Sequence, residues 1–438
     1  MRPYVPMTKN AFILNFFKLY NILWKLALPF LKRNKRLKLG FEKRISSNHH
    51  SKTDIWIQAA SAGEAYLAVN IIKKLEPGSK KKVLVTTMTP QGMDILKARL
   101  KNNSIHPLLK LKIDWFPFDI PGIIKEAVNV INPGVMILLE TEIWPALLYN
   151  LKVNQTKILI INARLSKKSF NNYLKTKFLW KHLTPDMIMA TSRHDAKRYQ
   201  KIFEKSVVKT MPNIKFESIA ADVSNDKTTR TKIKQILPHH LPLTILASVR
   251  KKESKDIIYI IKDILKSFPD QMVAIFPRHV HKVKSWECLF KSNNLDFHLR
   301  SGIHSPLQAP GIILWDVFGE LATAYSLATA VFVGGSLKPL GGQNFIEPAI
   351  QGAVTITGPY NDDFTWATEQ IFKKGLVIQK NNWKEISNTI LQSLHNPVNK
   401  SDRKILIQHY LRQNQGGTQK ACDELLNALK SSNRSLLR

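Results

Sequence analysis

Three acidic side chains stand at junctions facing an expected cleft, and one of them, Glu64, could take a proton from an incoming hydroxyl group. Glu64 lies in QAASAGEAYLA, Gln58 to Ala68, and Glu140 and Glu142 lie in LLETEIWPALL, Leu138 to Leu148. Each run passes from apolar residues into a helical pattern. Each carboxylate therefore falls at a strand–helix junction, where open α/β sheets bind ligands. Ser61 and Glu64 also have the S-x-x-E spacing of a capping box, which would engage the same carboxylate with its own backbone. A helix amino terminus stabilises a carboxylate and weakens it as a base, so a basic Glu64 requires burial to offset that field. Glu140 and Glu142 have the parallel reading of turn carboxylates before Pro145. Arg164 with Lys167 or Lys168, in INARLSKKSF, could pair with them or hold an anionic substrate.

Two later junctions carry cations and glycines. Arg278 and His279, in AIFPRHVHK, follow an apolar run and suit a phosphate or carboxylate, or else form a surface turn. In VFVGGSLKPLGGQNFIEPA, Val331 to Ala349, two glycine pairs flank a short loop whose backbone N–H groups suit a phosphate. Pro348 is placed to open a helix, and Glu347 to accept hydrogen bonds from ribose hydroxyls. The loop is neither GxGxxG nor GxxxxGK. No D-x-D occurs and no His/Cys cluster has zinc spacing, so neither a metal nor another cofactor is expected. A leaving phosphate would be neutralised by cations and helix amides.

The elements that must position these groups alternate regularly. DIWIQAA, KKVLVTTMT, GVMILLE, KILIINAR, DMIMATS and SVVKTMP are short apolar runs between helical stretches. PLTILASV, QMVAIFPRH, GIILWDV, ATAVFVGGS, AVTITG and GLVIQ form a second series. Such runs suit strands buried on both faces of a parallel sheet. The expected fold is α/β, with two Rossmann-like doubly wound domains facing a cleft. The first spans residues 41–217, a polar linker 218–240, and the second 241–438, carrying a terminal helix from Asn414 to Leu429 that could cross back over either domain.

The chain has 438 residues and a formal net charge of +34, enough to attract polyanions or anionic membrane surfaces. The basic residues are scattered, without an aromatic-interleaved RNA motif or helix-turn-helix spacing, so no nucleic-acid partner is expected. Two cysteines exclude a disulfide framework. Residues 1–40 form an expected membrane anchor: AFILNFFKLYNILWKLALPFL, Ala11 to Leu31, gathers Asn15, Lys18, Asn21 and Lys25 on one sector, and KRNKRLK follows. The helix would lie in the interface or span at a tilt. In either case the basic flank keeps the remainder on the cytoplasmic side.

The motifs ASAGE, ETEIWP, NARLS, PNIKF, PRH, FGEL and GGSLKPLGGQNFIEP, in this order from Asp54 to the carboxyl terminus, resemble the 3-deoxy-D-manno-octulosonic acid (Kdo) transferases of lipopolysaccharide assembly. The resemblance implies an inverting, metal-independent GT-B glycosyltransferase at the cytoplasmic face of the inner membrane. Its donor would be CMP-Kdo and its acceptor a lipid A precursor, lipid IVA, with one to several Kdo units transferred in succession. On this resemblance Glu64 is the general base. Glu142 and Lys215 support the transition state, with Glu140 a weaker candidate for the same support. CMP would be held by Pro277, Arg278, Phe318, Gly319, Glu320, Asn344, Phe345, Ile346 and Glu347. The sequence departs from the family pattern at Ala62, Arg250, Val280 and Gln343. The alternative is another GT-B nucleotide-sugar transferase with a different acceptor.

Overall fold

The computed structural model describes residues 11–46, 50–101, 104–217, 227–238 and 241–435. It divides into two compact units, residues 1–218 with 414–438, and residues 219–413.

In the first unit seven strands form one parallel sheet: β1 (Ile55–Gln58), β2 (Lys81–Thr87), β3 (Leu109–Trp115), β4 (Val135–Leu139), β5 (Lys157–Ala163), β6 (Met187–Ala190) and β7 (Val207–Thr210). Their order is β3-β2-β1-β4-β5-β6-β7. The chain starts in the middle of the sheet and reverses direction between β1 and β4, where Ile55 lies beside both Val83 and Val135. β1 and β4 are buried along their whole length, in keeping with their apolar sequences, broken only by the buried Gln58 at the end of β1. One face packs around Ile57, Val85, Ile137 and Ile161, the other around Trp56, Met136, Leu138 and Ile160.

The second unit repeats the plan with β8 (Leu243–Val249), β9 (Met272–Pro277), β10 (Phe297–Leu299), β11 (Gly311–Leu314), β12 (Ala330–Val333), β13 (Val354–Thr357) and β14 (Ile378–Gln379). The order is β10-β11-β9-β8-β12-β13-β14, again all parallel, with the reversal between β8 and β12. Two doubly wound parallel sheets are the architecture expected from the alternating pattern.

The terminal helix, Gly417–Ser435, corrects the expected grouping of residues 241–438. It belongs to the first unit, because Ala421, Cys422, Leu425 and Leu429 complete the hydrophobic face formed by Ile55, Leu67 and Ile71. Lys209 pairs with Glu424 at 2.6 Å, and Glu217 accepts hydrogen bonds from the Gly416 and Thr418 amides. Of the expected linker, 218–226 and 239–240 lie outside the described residues, while Lys227–Ile236 is helical.

The amino-terminal helix, Ala11–Arg33, lies along the first unit. Phe16, Phe17 and Tyr20 pack on the domain core, and Trp24, Leu28 and Leu31 pack against Phe41, Phe118 and Ile120. Its outer face leaves Leu19, Ile22, Leu23, Leu26 and Phe30 more than half exposed. Among the described residues it is the one helix long and apolar enough to cross a membrane.

Candidate active site

The reversal between β1 and β4 gathers the first unit's acidic residues at the carboxyl ends of the strands. Ser61 caps the Ala62–Lys74 helix, and Glu64 closes the capping box: its Oε2 accepts from the Ala60 amide at 2.6 Å and the Ser61 amide at 3.3 Å. The cap expected from the spacing is therefore present, and both backbone bonds fall on one oxygen. The side chain is 7% exposed. Burial, and then the neighbouring carboxylates of Glu142 and Glu140, push its pKa up to about 8, against the lowering effect of the two amides. The objection raised by the helix terminus is thus outweighed.

Glu140 follows β4 in the left-handed region, φ 54°, a costly conformation for a residue with a Cβ. Its carboxylate meets the Lys215 ammonium at 2.6 Å and the Arg164 guanidinium at 3.9 Å. Arg164 ends the β5 junction. Lys215 follows β7 and has its amide bound by the Asn213 side chain at 2.9 Å. Lys167 and Lys168, the other cations considered for this role, are exposed in the next helix. Glu142 accepts from the Trp144 indole at 2.7 Å, and burial raises its pKa. Glu64, Glu140, Glu142 and Lys215 are thus brought together as one charged cluster.

Supporting residues come from outside the motifs. Tyr199, fully buried, donates to the Glu140 and Arg164 carbonyls. Asn162, also at positive φ, accepts from the Ile214 amide beside Lys215. A tyrosine in helix Arg193–Ile202 carries no local signal of this duty.

In the second unit the glycine loop behaves differently from expectation. Its amides are not free for a phosphate: Gly335, Ser336 and Leu337 donate to the carboxylate of Glu253 at 2.7–2.9 Å. Glu253 is fully buried and occupies the anion position that the loop creates. The helix begins at Ile346, so Pro348 is its third residue and not its first.

The cations lie beside that loop. Arg250, Lys251, Lys252, His279 and Lys282 line a pocket of about 190 Å³ together with Pro277 and Trp286. His279 is held below its usual pKa by partial desolvation and by Arg278, His281, Lys282 and Arg250. Phe318 is 90% exposed, an unusual position for an aromatic ring, and Gly319 follows at φ 91°. Glu320 takes a two-point contact from Arg300 and one from the Trp315 indole. Asn344 donates to Glu347, which lies on the surface. The side chains of Phe345 and Ile346 are fully buried, Phe345 against Phe364 and Phe372, so only their backbone can meet a ligand.

Residues 33–218 match the family described as 3-deoxy-D-manno-octulosonic-acid transferase (kdotransferase). A 3-deoxy-D-manno-octulosonic acid transferase of Rickettsia felis is 29% identical over 389 residues, covering 87% of this chain and 79% of the relative. A bifunctional glycosyltransferase/methyltransferase of Fusobacterium nucleatum is 29% identical over 88% of this chain, which spans 60% of that relative's length. Among solved structures, Anabaena HepE in complex with UDP superposes with a TM-score of 0.56 at 11% identity, covering 86% of this chain and all of the other, a likeness of fold.

Proposed function

We propose that this chain, a glycosyltransferase of the Kdo transferase family, moves Kdo from CMP-Kdo to a hydroxyl of a lipid A precursor, with Glu64 as the general base. The observation that carries the proposal is the state of Glu64: a buried carboxyl at the switch point of the sheet, beside two further carboxylates, with its proton affinity raised to about 8. A group so tuned accepts a proton more readily than an ordinary carboxylate.

In the reaction the acceptor oxygen forms a bond to the anomeric carbon of Kdo as the bond from that carbon to the CMP phosphate breaks. The bonding electrons leave with CMP, and the hydroxyl proton passes to Glu64. The anomeric carbon becomes oxocarbenium-like, so the protein's part is mainly to place charge. Glu142, and Glu140 held by Lys215 and Arg164, set the negative field near the base. The second unit's cations, Arg278 among them, neutralise the phosphate and the sugar carboxylate. Phe318 offers a ring for the cytosine base, and the surface pair Asn344 and Glu347 faces ribose hydroxyls.

The amino-terminal helix supports a membrane site for the acceptor. Its outward apolar ridge is flanked by the exposed Lys18 and Lys25, a pattern that suits an interface with the ammonium groups at anionic headgroups. The inner membrane's cytoplasmic leaflet is the surface this reading assigns. Transfer is repeated on a Kdo-bearing acceptor only if one base serves successive hydroxyls, and mass spectrometry of the products counts the units.

The test is Glu64→Ala with purified protein, CMP-Kdo and lipid IVA. Turnover is expected to vanish while calorimetry still registers CMP-Kdo binding. Residual turnover within about tenfold of the parent would remove Glu64 from the role, since a general base contributes about 10²–10⁴ in rate.

A further inference from the structure

One carboxylate in the first unit has no part in the chemistry yet is built into its support. Asp119 is 1% exposed. Its Oδ1 accepts from the Leu147 amide at 2.8 Å, and its Oδ2 accepts from the Ala146 amide at 3.0 Å and the Tyr20 hydroxyl at 2.9 Å. Ala146 and Leu147 are the second and third residues of the Pro145–Val153 helix, whose amides have no partner within the helix. The preceding residue, Trp144, gives no side-chain cap, and Pro145 has no N–H. The helix start is thus capped by a carboxylate 27 residues earlier in the chain. The turn immediately before it is Glu140–Trp144, and the Trp144 indole holds Glu142.

We propose that Asp119 is a positioning residue for the Glu140–Trp144 turn, and that Tyr20, carried in by the amino-terminal helix, fixes the carboxylate that does the positioning. Seating of that apolar helix is thereby coupled to the geometry of the acidic cluster. Asp119 touches no reacting atom; it acts through the Ala146 and Leu147 amides on Trp144 and so on Glu142. The consequence for turnover rests on the transferase reading above, whereas the consequence for the turn does not.

Burial supports the arrangement from a second side. A carboxylate shut away from water needs donors for its lone pairs, and three point at this one. In either amide orientation, Asn would set an NH₂ against the Ala146 or the Leu147 N–H, losing at least one bond of the cap.

The experiment compares Asp119→Asn, Tyr20→Phe and a control, Ser206→Ala, in the full chain. Ser206 is buried and bonds the Pro185 carbonyl, away from the turn. Two readouts are taken on each: steady-state kinetics, and the ¹⁵N–¹H indole resonance of Trp144, assigned with Trp144→Phe. Asp119→Asn is expected to lower kcat by about tenfold and Tyr20→Phe by about threefold, less than the full worth of a hydrogen bond to a charged group because only part of the lost positioning reaches the transition state, with KM for CMP-Kdo within twofold. Both are expected to move the Trp144 resonance, and Ser206→Ala to leave both readouts unchanged. An unmoved resonance and unchanged kcat in folded Asp119→Asn and Tyr20→Phe would overturn the positioning role. If Glu64→Ala remained active while the resonance still moved, the transferase assignment would fail and the coupling would stand. If Asp119→Asn did not fold, Tyr20→Phe, which removes one oxygen, would decide alone.

Discussion

On the proposed reading, Glu64 combines a structural and a chemical task in one carboxyl group. Oε2 closes the helix cap, the local structural device that the S-x-x-E spacing specifies. What local spacing could not reveal was the company of Glu140 and Glu142, which lie nearly 80 residues away along the chain and arrive through β4. Their charges, together with burial, raise the pKa to about 8. If the ionised form is the base, kcat/KM rises with pH up to that value. Glu142→Gln removes one like charge and shifts the rising limb to lower pH, which a pH–rate profile measures. Linkage gives a second sign. Between about 4.5 and 8 the folded chain keeps a proton that the unfolded chain has lost, so this group lowers stability as pH rises. Glu64→Gln should flatten the decline in urea midpoint across that interval.

At the scale of elements, the strands that the apolar runs missed share a position. β3 and β10 are edge strands, one in each sheet. β3 reads LKLKIDW, with lysines interleaved, because an edge need not be apolar on every residue and gains protection from charge. β10 has three residues and no run to detect. The twelve apolar runs, by contrast, are all strands: ten are central, and the other two, β7 and β14, are the opposite edges of the two sheets. The glycine loop shows the opposite failure: its backbone suits an anion, and the chain provides that anion itself in Glu253, 82 residues before Gly335. Glu253→Ala would strand three buried amides. We expect a loss of about 3 kcal/mol or more in the chemical denaturation of the second unit, each lost bond to a charged group being about 1.5–3 kcal/mol. Leu425, fully buried on the terminal helix, gives the matching test for the first unit. Leu425→Ala should cost about 2–5 kcal/mol there and little in the second.

For the molecule as a whole, the net charge of +34 and the exposed ridge of the amino-terminal helix make one prediction together. Vesicles containing anionic lipid should sediment with the protein, and salt should weaken the binding by screening the charge. Replacing Leu23 and Leu26 with Asp should abolish sedimentation without unfolding the chain, since both side chains are more than half exposed already. The return of residues 414–438 to the first unit has an outcome in time as well. A ribosome delivers residues 219–413 before the helix that finishes the enclosing half. The inserted half can reach its native state while the half that started earlier still lacks Leu425 and Leu429. Released chains truncated after residue 413 should therefore yield a protease-resistant fragment from the later-made half alone, reversing the usual rule that what is synthesised first folds first.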